Sequence, residues 1–248
     1  MCGIAGIFSI DSISDNQKSN LALALKKMHH RGPDYSAIGG NNFAQLGHAR
    51  LSIIDTSSDA NQPMFSENSK YAIIFNGEIF NFLELKKDLE QSGIQFKTRS
   101  DTEVLLQLLI KYGKKAIHLL NGFFAFAFYD YEKNEIWLVR DRYGEKPLKY
   151  SYENGILYFA SDLNALKCFH PNPKMNLDAI QLYFQYNYIP APFTIYESMS
   201  KLMPGEMISV NKNGIITEKY FELKTNEIVS NDSEIKEKLK NTLQDAVQ

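Results

Sequence analysis

The chain has 248 residues, 44% of them apolar and 12% aromatic, enough to bury a large core as one domain or two small ones and too apolar for a disordered chain. Lys and Arg number 27 against 29 Asp and Glu, a net charge of −2 without a long block of one sign, which argues against a nucleic-acid or anionic-membrane partner. The longest apolar run, Phe123 to Tyr129, has seven residues, far short of the roughly 18 to 20 that a membrane-spanning helix needs.

In chain order, the N-terminal CGIAGIF is apolar but has no basic leader and runs into Ser9 and Asp11 instead of a small-residue cleavage site, so it reads as a strand and not as a signal peptide. Helical spacing follows at Leu21, Leu25 and Met28, again at Phe82, Leu85 and Leu89 before Gly93, and at Val104, Leu105, Leu108, Leu109 and Tyr112 before Gly113. Apolar runs of strand length are Ile4–Phe8, Ala72–Phe75, Phe123–Tyr129, Ile136–Val139 and Ile156–Ala160. Their apolar residues are consecutive more than alternating, so both sheet faces should be covered, one by a second sheet and the other by helices. Hairpin signals at 131–135, 152–156 and 211–215 favour antiparallel pairing. Past residue 223 the text turns polar over 224–232, and Ile235, Leu239, Leu243 and Val247 then recur every four residues. The expected organisation is one domain over 2–223, a linker over 224–232, and over 233–248 a helix that starts a further, cut-off domain.

The two cysteines, Cys2 and Cys168, offer no disulfide framework or CxxC pair, which fits a reducing, cytoplasmic setting. No metal is expected, since the five histidines make no HExxH arrangement. Cys2 follows the initiator Met1, and removal of Met1 would leave a thiol and a free α-amino group on one residue. Such an amine titrates at about 7.7 to 8.0, near the optimum for a general base. Asn76 and Gly77 end the strand AIIF with an amide donor beside an N–H that nothing shields, the pattern of an oxyanion hole. Arg50 lies among apolar neighbours and wants a carboxylate. Each feature also has an ordinary reading: an incidental cysteine, an Asn-Gly turn, a structural ion pair. Ser100 and Glu103 fit a capping box, with Asp101 facing outward from the first helical turn. Cys168 reads as a buried small residue, and RDRYGEKP (140–147) as a solvated or ion-paired loop.

Together, MCGIAGIF, HRGPD, ARLSIID, FNGEIFN, SDTE, LNGFFAFAFYD, RDRYGEKPL, FASD and YNYIPAPFTIYESMSKLMPGE (186–206) resemble the glutamine-hydrolysing domain of the asparagine synthetases. These are class II glutamine amidotransferases with the N-terminal-nucleophile hydrolase fold. The resemblance runs from residue 2 to about residue 221 and implies an α/β (α+β) fold, a four-layer αββα sandwich of two mainly antiparallel sheets. It implies Cys2 as nucleophile with its own amine as base, Asn76 and the Gly77 N–H as oxyanion hole, and Arg50 on the glutamine α-carboxylate. Glu78 and Asp101 would hold the α-ammonium, with backbone groups near Leu51 and Ile53 completing the pocket. The implied reaction is L-glutamine plus water to L-glutamate plus ammonia, without a cofactor in this domain. In the complete enzymes a C-terminal synthetase domain uses ATP and Mg²⁺ to amidate aspartate, and its Ser-Gly-Gly signature with a following Asp-Ser is absent here. Lys149, Asp162 and Met203-Pro204-Gly205 depart from the family pattern. Two alternatives stay open: ammonia for another acceptor, such as a sugar carboxylate in surface-polysaccharide synthesis, or an inactive regulatory module. A homodimer is left open too.

Overall fold

The computed structural model describes residues 1–225 and 231–247. The strands are β1 (Gly3–Ser9), β2 (Tyr35–Gly40), β3 (Ala44–Arg50), β4 (Met64–Phe65), β5 (Tyr71–Ile79), β6 (Gly122–Asp130), β7 (Glu135–Arg140), β8 (Lys149–Glu153), β9 (Ile156–Ala160), β10 (Ser200–Lys201), β11 (Glu206–Asn211) and β12 (Gly214–Lys219). The helices are α1 (Asp15–Lys27), α2 (Phe82–Gln91), α3 (Asp101–Tyr112), α4 (Leu163–Leu166), α5 (Leu177–Tyr186) and α6 (Asp232–Val247).

The strands make two six-stranded sheets, ordered β10-β8-β9-β1-β3-β2 and β12-β11-β7-β6-β5-β4. Every pairing between named strands is antiparallel. Side-chain alternation along each strand then sorts residues into layers. On β5, Ala72 and Ile74 pack between the sheets, while Ile73, Phe75 and Ile79 pack under α2 and α3. On β1, Ile4 and Phe8 point into the same inter-sheet layer, and Ala5 and Ile7 meet α1 and α4. Three apolar clusters in series, helix to sheet, sheet to sheet and sheet to helix, realise the expected αββα sandwich.

Local chemistry accounts for several boundaries. Ser14 caps α1 through a reciprocal bond with Gln17. Asn154 and Gly155, at φ of 52° and 75°, supply the turn that joins β8 to β9. Strands β2 and β3, like the two-residue β4 and β10, carry no strand signal in the sequence: YSAIGG and AQLGHAR lack an apolar run, and their strand state rests on pairing with each other and of β3 with β1. Of the linker expected over 224–232, residues 226–230 lie outside the described residues, as does Gln248. Helix α6 forms where the four-residue spacing placed it, and all of its described residues are exposed. Among the described residues, no helix is long and apolar enough to cross a membrane.

Candidate functional site

Strand parity aims the key side chains at one another. Cys2 precedes β1 in step with Ile4 and Phe8, so it looks into the inter-sheet layer, and Arg50 ends β3 in step with Ala44, Leu46 and His48. From the opposing sheet, Asn76 and Glu78 continue the inward face of Ala72 and Ile74. These residues, with Leu51, Ile53, Gly77 and Asp101, line a single cavity of about 190 Å³. All eight residues proposed from the sequence are therefore brought together.

The Cys2 thiol is held by one backbone unit, with Sγ 3.5 Å from the Leu51 carbonyl oxygen and the Leu51 N–H donating to Sγ at 3.4 Å. Burial pushes its pKa up, partly offset by the Leu51 bond. As encoded, residue 2 carries a peptide nitrogen, and Met1 lines the cavity.

Asn76 is 1% exposed, and its amide nitrogen has no hydrogen-bond partner among the described residues. A buried, unused donor of this kind costs roughly 1 to 3 kcal/mol, a cost that makes sense where a ligand oxygen will accept from it. The Gly77 N–H follows from alternation. Phe75 N–H donates to Gln62 Oε1 at 2.6 Å and Ile79 N–H to Asp101 Oδ2 at 3.1 Å, both away from β6. Gly77, midway between them, must point its N–H to that same edge, where β4 covers only Ala72 and Ile73. The residue is Gly because a Cβ there would lie 2.3 Å from the Phe123 carbonyl oxygen.

Arg50 is 6% exposed and makes no ion pair among the described residues. Its guanidinium is held by the Ser57 carbonyl oxygen at 2.7 Å, Asn61 Oδ1 at 2.6 Å and the Asp55 carbonyl. A positive charge oriented by neutral acceptors is left free to meet an anion. Asp101 supplies the opposite sign. The outward orientation expected for it is wrong: it is 5% exposed, because the Ile79 N–H draws the carboxylate down onto β5. Burial, with the nearby Glu78 charge adding to it, pushes its pKa up to about 6.

Three further expectations are corrected. Ser100 does cap α3 through the Glu103 N–H, but the Glu103 carboxylate turns to the Lys97 and Thr98 N–H groups, so the box is not reciprocal. Cys168 is only half-buried, its Sγ directed at the Asn164 carbonyl at 3.5 Å. The loop at 140–147 is organised around a buried acid, Asp141, 1% exposed, which accepts from the Tyr143, Glu145 and Lys146 N–H groups. That winding turns Lys146 into the cavity.

Sequence reading missed Gln62, His48 and Lys146. Gln62 accepts from Phe75 N–H and donates to Thr102 Oγ1 at 3.1 Å, tying β5 to the start of α3. His48, pushed down to about 3 by complete burial, is a neutral ring whose Nε2–H donates to the Phe75 carbonyl oxygen at 3.1 Å. The elements carrying Arg50, Asn76 and Asp101 are thus fastened at one strand position. Among the described residues, no group of three or more His, Cys, Asp or Glu is placed to hold a metal.

Comparison with known proteins gives a consistent result. A model of the glutamine amidotransferase domain matches residues 1–221. The chain is 33% identical over 252 residues to asparagine synthetase [glutamine-hydrolyzing] 1 of Bacillus subtilis, covering 100% of this chain and 39% of that protein. It is also 33% identical over 270 residues to the putative asparagine synthetase [glutamine-hydrolyzing] 2 of Methanocaldococcus jannaschii, covering 100% of this chain and 52% of that protein. The chain thus spans between about two fifths and half the length of these relatives. A solved structure described as the allosteric regulatory enzyme of purine biosynthesis shares the fold, with a TM-score of 0.67 at 22% identity over 89% of this chain and 49% of that one.

Proposed function

The chain belongs to the class II glutamine amidotransferase domains related to the glutamine-hydrolysing asparagine synthetases, and on that premise we propose that it hydrolyses L-glutamine to L-glutamate and ammonia at Cys2. The observation that carries this reading is the meeting, in one cavity of amino-acid size, of a thiol, a buried unused amide donor, an unpaired guanidinium and two carboxylates. A zwitterionic amino acid with a terminal carboxamide complements that set: its α-carboxylate faces Arg50, its α-ammonium faces Asp101 and Glu78, and its carboxamide reaches Cys2. Leu51 and Ile53 close the pocket around its aliphatic stem.

Excision of Met1 gives Cys2 a free amine beside its thiol. The amine takes the thiol proton, and the sulfur attacks the carboxamide carbon. Asn76 and the Gly77 N–H hold the oxygen that gains the charge. The amine returns the proton to the departing nitrogen, so ammonia leaves and a thioester remains. Water then adds to the thioester carbon, giving a proton to the amine, and collapse of that adduct expels the thiolate, which is reprotonated as glutamate departs. Each step uses groups of this chain alone, without a metal or cofactor.

Because the relatives are named for asparagine synthesis, aspartate is the proposed acceptor of the ammonia in a longer protein of this kind. A C-terminal synthetase domain would there supply ATP and Mg²⁺ sites, reached across residues 224–232. The test for the present chain is glutamate release from glutamine: Cys2→Ala is expected to abolish it, and unchanged turnover in that variant overturns the assignment.

A further inference from the structure

Residue 2 stands beside two cations that recognition of glutamine does not use. Arg31, in the turn after α1, donates its Nε–H to the Cys2 carbonyl oxygen at 3.1 Å, and its Nη2 is buried without a hydrogen-bond partner among the described residues. Lys146 comes from the loop after β7. It lines the cavity with Cys2, and its Nζ lies 4.0 Å from the centroid of the Phe123 ring and 3.4 Å from Met1 Sδ. Neither cation forms an ion pair among the described residues. Met1 Sδ is the one hydrogen-bond partner of Nζ among them, and excision of Met1 removes it.

The placement of Lys146 is built into the fold. Its N–H donates to Asp141 Oδ2 at 2.9 Å, and its carbonyl accepts from Arg140 Nε at 2.9 Å. Arg140 also binds the Gly144 and Leu202 carbonyl oxygens. This scaffold sets the backbone at 146, and none of its bonds uses the ammonium.

The charges around residue 2 separate into two ends. At the recognition end stand Arg50 from β3, Asp101 from α3 and Glu78 from β5. At the nucleophile end stand Arg31 and Lys146, with Asp162 interacting with Arg31, and Glu145 and Asp141 with Lys146. A bound zwitterion offsets Arg50 with its carboxylate and the acidic pair with its ammonium, which leaves the two cations facing the nucleophile. Burial and the charge of Arg31 lower the pKa of Lys146 itself, against Glu145, Asp141 and Cys2.

We propose that Lys146, together with Arg31, holds the α-amino group of mature Cys2 in its neutral, proton-accepting form, so that Lys146 is a positioning residue acting through the base. An α-amine with its ordinary value of about 7.7 to 8.0 is mostly protonated at pH 7 and cannot take the thiol proton. A fixed positive charge nearby disfavours a second one on the amine and favours the thiolate on the same residue. The inference deepens the proposed function and rests on it.

The experiment is the pH dependence of kcat/KM for glutamine, measured on the whole chain as wild type, Lys146→Met and Lys146→Arg. In Lys146→Met the midpoint of the acid limb is expected to move up by about one pH unit, with a several-fold loss at pH 7 that is regained toward pH 9. Lys146→Arg, which keeps the charge, should retain the wild-type midpoint. A Lys146→Met profile with the wild-type midpoint, whether superimposed or scaled down equally at every pH, overturns this inference alone. A wild-type chain that releases no glutamate overturns it together with the glutaminase reading.

Discussion

Asp101 shows at the level of one side chain how binding and stability pull in opposite directions. Its folded pKa of about 6 lies above the 3.8 of a free carboxyl. As pH rises from 4 to 6 the unfolded chain releases this proton before the folded one does, so folding loses stability, on the order of 2 to 3 kcal/mol in all. Asp101→Asn is therefore expected to be more stable than wild type at pH 8 and no more stable near pH 4, by urea unfolding at both. The ionised form is the one that can hold an α-ammonium, so the KM of the wild type should rise as pH falls below about 6, and that rise should be absent in the Asn variant. Asn76 gives the complementary case. In the proposed mechanism its donor, buried without a partner among the described residues, serves charge that appears only in the transition state, and Asn76→Ala should then lower kcat by about 10²- to 10³-fold with little change in KM.

At the scale of the element, β5 is the part on which the site depends most. It carries Asn76, Gly77 and Glu78 on nine residues, Tyr71–Ile79, and its register is fixed by Gln62 and His48 at Phe75 and by Asp101 at Ile79. Gly77→Ala sets a methyl 2.3 Å from the Phe123 carbonyl oxygen and 2.7 Å from Phe124 Cα, so β5 and β6 must part. A loss of about 1 to 3 kcal/mol in unfolding free energy and a large drop in kcat are expected. Gln62→Leu strands the Phe75 N–H and should cost about 1 to 3 kcal/mol, with a fall in kcat/KM although Gln62 carries none of the chemistry. The apolar run in β5 and the Asn-Gly-Glu that ends it could be read from the sequence, because burial and an exposed donor leave local marks. Gln62, His48 and Lys146 leave none, since their partners lie 13 residues away or more, apart from the loop bonds of Lys146. The inward turn of Asp101 was hidden for the same reason: its partner, Ile79 N–H, is 22 residues back.

Across the whole molecule, the sandwich places Cys2 and Arg50 on one sheet and Asn76 and Gly77, the proposed oxyanion donors, on the other. The layered architecture was readable from consecutive apolar residues, which demand cover on both faces. The edge strand β2 was not, because its polar, glycine-containing text is ordered by its neighbour β3. The proposed mechanism runs on the thiol and amine of Cys2 with Asn76 and the Gly77 N–H as donors, so treatment with EDTA is expected to leave glutamate release unchanged. What the assembled site still lacks, as encoded, is a base on residue 2. The most direct test compares glutamate release by protein whose intact mass shows Met1 removed with release by protein that retains it. Turnover confined to the trimmed chain is the predicted result, and equal turnover in both would contradict the claim that the amine of Cys2 accepts the thiol proton.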